Sequence, residues 1–142
     1  MLALTRRDDW RSRLEAAIDA VKAVPADWAK QADCGPHLTG RAVEALTGVD
    51  VAAAFRGRYQ SAAGALRVMK AAGFDNLGDL VASLLPEIHP SQAGVGDIAA
   101  IADDSPFGFA LGVVDGERVF VMRPDGLGTV DLLAAQRAFK VG

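Results

Sequence analysis

Two rhythms of apolar and polar positions run along the chain, and one gives way to the other near residue 90. In the first part Trp10, Leu14, Ala17, Ile18 and Val21 recur at helical spacing with charged residues between them, which predicts an amphipathic helix. Asp8 or Asp9 stands where a cap belongs, and Pro25 stops the run. A polar turn from Trp28 leads into a second helix at Cys34-Gly35-Pro36, where proline suits the first helical position. Leu38, Ala42, Ala45 and Leu46 form its buried stripe, and Gly48 ends it. Asp50 caps a short helix over 51–55. Ser61 opens another, with Leu66 and Met69 inward and Gly73 at its stop. Asp75 or Asn76 caps the next, with Leu77, Leu80, Val81 and Leu84 on one face and Pro86 at its end.

From Pro90 onward, short apolar runs punctuated by turn residues take over. Strands are predicted over 98–102, 107–114, 117–122 and 127–132. Asp115-Gly116 is a hairpin turn, and Pro124-Asp125-Gly126 is another. Residues 133–139 read as a last helical turn. Helices followed by an antiparallel meander predict an α+β domain, helical over about 6–86 and β over about 95–133. Neither part alone is long enough to bury a good core, and no repeat or linker interrupts the chain, so residues 1–142 read as one domain.

Composition narrows the function classes. With 142 residues and 51% hydrophobic side chains, there is ample material for a core. One cysteine excludes an internal disulfide framework. One cysteine with two histidines is too few for a structural zinc site, and no metal or other cofactor is expected. A net charge of −3 argues against a nucleic-acid partner held by bulk charge. Charge arrives within the first ten residues, so no signal peptide is expected. No run approaches the ~20 apolar residues of a membrane span, so no membrane segment is expected and synthesis in the cytoplasm is.

The chemistry-bearing residues are few. Asp33 shapes a turn at the start of the second helix, and Cys34 follows it. A thiol there meets unpaired backbone N–H groups and the positive end of the helix dipole, which lower a cysteine pKa. Gly35 lets another molecule approach the backbone. The other reading is that Cys34 is a small buried hydrophobe. A thiol nucleophile needs a base, and only His37 and His89 exist. His37 shares a helix face with Cys34, and His89 sits in a proline-flanked loop; both also read as surface or cap residues. Gly96-Asp97 is a turn feeding a strand. Arg56-Gly57-Arg58-Tyr59 reads as a solvated basic-aromatic loop, and 119–122 as a core strand.

Together these pieces resemble the NlpC-type cell-wall cysteine peptidases, and more closely a small branch of that papain-like fold found in tailed bacteriophages and prophages. The resemblance rests on Trp28, Asp33-Cys34-Gly35, Ala45-Leu46-Thr47-Gly48-Val49-Asp50, Gly96-Asp97-Ile98, Leu111-Gly112-Val113 and Gly126-Leu127, and spans from about residue 8 to the C-terminus. It implies N-terminal helices packed on a C-terminal antiparallel sheet. It implies Cys34 as the nucleophile and a substrate cleft near Trp28, Gly35, Gly96, Asp97 and Ala110. The family's histidine precedes a Val-Gly-Ile-like strand; matched to Leu111-Gly112-Val113, that position is Ala110. Only Arg123 stands near the place of the third polar residue. A nucleophile without base or orienter lacks the proton transfers of acyl transfer. The resemblance therefore implies a tail-tip or tail-hub-associated virion protein, a structural pseudoenzyme docking on hub or tape-measure proteins. The alternative is an active endopeptidase or amidase that recruits His89 or His37 to cut peptidoglycan peptides. A host-encoded binding module unrelated to phage is the third reading.

Overall fold

The amphipathic N-terminal pattern becomes helix α1 (Trp10–Lys22), which buries Leu14, Ile18 and Val21. The computed structural model describes all of residues 1–142. Asp9 stands before α1, yet its side chain makes no cap bond; the carboxylate instead pairs with Arg13 one turn on. A π-helical turn (Cys34–Thr39) runs directly into α2 (Gly40–Thr47). Gly48, in the left-handed conformation at φ 81°, closes α2 as expected. Ser61 and Asn76 cap α3 (Ala62–Ala71) and α4 (Leu77–Leu84) through their side-chain oxygens.

Residues 51–55 form turns, not the predicted helix. The Asp50 carboxylate accepts from the Ala52 N–H at 3.0 Å and pairs with Arg56 at 2.8 Å. That pairing bends the chain back on itself, and five residues give too little propagation to offset helix nucleation.

The six strands are β1 (Glu87–Ile88), β2 (Ile98–Ala102), β3 (Phe109–Asp115), β4 (Arg118–Arg123), β5 (Gly126–Asp131) and β6 (Arg137–Phe139). They form one antiparallel sheet in the order β1-β6-β2-β3-β4-β5. The chain is therefore α+β, with four N-terminal helices followed by a six-stranded antiparallel sheet. The β2–β5 meander lies within two residues of its predicted bounds. The predicted helical turn at 133–139 is corrected: a single 3-10 turn at Leu132–Ala134 gives way to β6. Extension there buries Ala138 and Phe139 completely and pairs the backbone on both sides. The segment between Pro86 and Pro90, read as loop, supplies β1.

Strand alternation divides the apolar residues between two faces. Ile98, Ala100, Leu111, Val113 and Phe139 join α1, α2 and α4 in the main core through Ile18, Leu46 and Val81. Ala99, Val114, Val119 and Val121 form a smaller cluster on the opposite face, edged by Ala93, Val130 and Leu132. Val119 is fully buried and β4 lies inside the sheet, as its apolar run predicts. No helix is long and apolar enough to cross a membrane.

Candidate functional site

Cys34 opens the π-helical turn. Asp33 before it is extended, and its Oδ1 accepts the Gly35 N–H at 3.2 Å. The Leu38 N–H reaches back five residues to the Asp33 carbonyl at 3.1 Å, and the Thr39 hydroxyl donates to the Cys34 carbonyl at 2.6 Å. The wide turn sets Cys34 against a cavity of about 90 Å³. Its walls come from the π-helical turn, the loops bearing Trp28, Phe55 and Tyr59, Ala65 of α3, Leu80 of α4, and Phe107 and Leu111 before and within β3. Trp28 stacks on Phe107 at 5.4 Å between ring centres and stands tilted to Tyr59 at 6.2 Å. Gly35 and Trp28 line the same cavity as Cys34.

The electrostatics run against a thiolate. Burial pushes the Cys34 thiol up to about 11; the Leu111 N–H opposes this, while the Asp33 and Asp103 carboxylates add to it. The expected activation by a helix start is therefore reversed, because desolvation of the charged form outweighs the backbone donors. Cys34 itself is half-buried, whereas Asp33 is buried, and burial lifts its carboxyl above the usual range. The Tyr59 hydroxyl donates to Asp33 Oδ2, and the Gly35 and His37 N–H groups partly offset the lift. Burial and the Asp33 contact hold the Tyr59 hydroxyl far above its ordinary value. Asp33 and Tyr59 satisfy each other and form a closed polar wall.

Neither histidine lines this cavity. His37 is buried and its Nε2 has no hydrogen-bond partner. Burial, with Arg41 and Arg56 nearby, depresses its pKa. His89 is exposed; its Nδ1 accepts the Ser91 N–H at 3.1 Å and lies 2.7 Å from the Ser91 hydroxyl, closing a 3-10 turn. Ala110 pairs with Ile101 in the sheet. Alternation turns its side chain to the face away from the helices, and its neighbour Leu111 is the β3 residue beside Cys34.

Two expectations are corrected. Gly96 and Asp97 do not line the cavity. Asp97 is buried and clasps the two ends of the chain: it accepts from Arg6 Nη2 at 3.1 Å, the Val141 N–H at 3.0 Å and the Gly94 N–H at 2.9 Å. Gly96 lies at φ 92°, and a Cβ there would meet Leu46 and both Arg6 terminal nitrogens. The 56–59 segment is solvated only at Gly57 and Arg58. Arg56 ties Asp50 to the Pro36 carbonyl, and Tyr59 is a cavity wall. Sequence reading missed Tyr59, Phe55 and Phe107 as site residues. Only the aromatic character of Tyr59 marked it, and its partner Asp33 stands 26 residues away.

No group of three or more His, Cys, Asp or Glu side chains converges as a metal-holding set. Thus the arrangement offers a neutral thiol, a satisfied polar pair and an apolar cavity. The model of one family, the domain of unknown function DUF6950, matches residues 5–141. No curated protein matches the chain.

Proposed function

The chain belongs to the DUF6950 family, and we propose that it is a catalytically silent protein of papain-like ancestry, built into a bacteriophage tail tip or hub. The observation that carries the silence is the state of Cys34. Its thiol is pushed up to about 11 and no histidine stands among the walls of its cavity. The thiolate is disfavoured there, and no histidine lines the cavity to take the proton. The tail assignment, and hub and tape-measure proteins as partners, rest on the resemblance carried by Trp28, Asp33-Cys34-Gly35 and Leu111-Gly112-Val113.

Two measurements test this reading. Purified protein incubated with peptidoglycan is expected to release no peptides, and Cys34→Ala is expected to leave tail assembly and infectivity unchanged. Peptide release that disappears in Cys34→Ala would overturn the silent assignment in favour of an active endopeptidase. A tagged chain expressed during infection is expected in purified tails. Its absence from them would overturn the tail assignment.

A further inference from the structure

We propose that the cavity beside Cys34 is a socket for a leucine-type side chain presented by a peptide segment of a partner protein. The inference draws on the reading above only for the partner's source; the socket itself is argued from its walls.

The cavity opens to solvent beside the exposed face of Trp28, and its walls are fastened from behind. Gln31 is the one non-glycine residue at positive φ, 55°, a conformation held only where surrounding bonds require it. Its side-chain amide donates to the Tyr59 carbonyl at 3.0 Å and accepts the Gly57 N–H at 2.9 Å. Arg56 Nη2 reaches the Pro36 carbonyl at 2.7 Å. These bonds fix the loop bearing Phe55 and Tyr59, whose side chains pack on Ala65 and Met69 of α3 and Leu80 of α4.

The chemistry of the walls selects the occupant. Sixteen of the 21 lining residues are hydrophobic. The Asp33 and Tyr59 side chains are spent on each other, and the Thr39 hydroxyl on the Cys34 carbonyl. The thiol, a weak uncharged donor, is the polar side-chain group left over. Nothing in the socket compensates a charge or an amide, so the occupant is uncharged and apolar. Size follows by comparison: an apolar cavity of about 150 Å³ takes benzene, so one of about 90 Å³ takes roughly four carbons. Four carbons, branched, is the side chain of leucine. Trp28 decides between a free molecule and a side chain. It lines the cavity and is still 38% exposed. A four-carbon molecule inside the cavity leaves that outer surface unused, whereas a peptide backbone carrying the leucine lies across it.

The probe is N-acetyl-leucinamide, titrated into the full chain and followed by NMR at the Leu80 and Leu111 methyls and the Trp28 indole N–H. Saturable shifts at all three are expected. Affinity should exceed that for N-acetyl-alaninamide by about 50-fold, the value of three more buried carbons. Ala65→Leu, which fills the socket, should abolish the shifts; Ala52→Val serves the same purpose if that variant does not fold. Equal affinity for the two amides, no saturable shifts, or unchanged shifts in a filled variant that folds would overturn the inference. Binding of isobutanol without binding of the leucinamide would also overturn it, in favour of a free small ligand. Leucinamide binding by a chain absent from tails would leave the socket standing and remove the tail reading.

Discussion

Replacing Asp97 by alanine separates a clasp from a cleft residue. The carboxylate is buried at 3% exposure and receives three N–H donors, from Arg6, Gly94 and Val141. Removal leaves a guanidinium whose side chain is 18% exposed and a Val141 amide with no partner in a buried position. Breaking one side of a buried pair costs about 3–5 kcal/mol. Arg6 keeps two further acceptors, the carbonyls of Val141 at 2.7 Å and Val95 at 2.8 Å. That retention puts the expected loss at the lower end, about 3 kcal/mol. For a domain of this size the melting temperature should fall by roughly 6–12 °C. Urea unfolding followed by far-UV circular dichroism measures the loss, as a lower midpoint at unchanged slope. In the Asp97→Ala background, Arg6→Met should cost less than it does alone by at least about 1 kcal/mol, since the two side chains act as one unit. A loss under about 1 kcal/mol for Asp97→Ala, within the range of ordinary surface changes, would refute the clasp and return Asp97 to the candidate cleft positions.

Other consequences can be measured separately. Tyr59→Phe strips Asp33 of its side-chain donor and should lower stability by about 1–3 kcal/mol in the same urea assay. Gly112→Ala would place a Cβ 2.5 Å from Val119 Cγ1 and 2.6 Å from the Phe120 carbonyl, so the sheet should lose about 1–3 kcal/mol or more, read as a lower melting temperature. Iodoacetamide should label Cys34 slowly at pH 8 and about tenfold faster for each pH unit up to about 11; a plateau below pH 9 would contradict the raised thiol. His37 titrates below its ordinary 6.5 in the folded chain, so the unfolded chain takes up the proton first. Stability should therefore be whole above pH 6.5 and fall as pH drops through the window beneath it, and His37→Phe should flatten that slope. Asp33, raised by burial, acts in the opposite sense, toward greater stability as its carboxyl protonates, and in the more acidic carboxylate region.

Local signals were readable wherever a residue's role is decided by its chain neighbours. Ser61 and Asn76 cap helices because a side-chain oxygen reaches an N–H three residues on. Asp115-Gly116 and 124–126 punctuate the meander, so β2 to β5 follow from turn chemistry and apolar runs. Cys34 and Gly35 stand at a helix start that local signals mark, whereas Trp28 beside the same cavity was indicated only by the family resemblance. The failures are residues whose partners lie far along the chain. Asp97 carries an ordinary Gly-Asp turn signal, and its clasp on residues 6 and 141 has no local mark. β6 spans three residues, too few to display alternation, and is extended because β1 and β2 are there to receive it. At 51–55 an apolar run beside a good cap misled, because Arg56 competes for the same aspartate. Matching Leu111-Gly112-Val113 selects Ala110, whereas strand parity puts Leu111 on the cavity side of β3.

The place of β6 in the sheet also orders the events of folding. β1 and β2 are separated by only nine residues, yet they are not paired with each other; β6, 34 residues beyond β2, lies between them. The hairpins from β2 to β5 can form from near neighbours, with short loops to close. β1 has nothing to pair with until β6 arrives, and Val141, just past β6, is also one end of the Asp97 clasp. Rate-limiting closure therefore belongs to the longest loop in the molecule, the one that joins residue 6 to residue 141 through Asp97. Substitutions at Arg6 or Val141 should therefore slow folding, because the contacts they remove form in that rate-limiting closure.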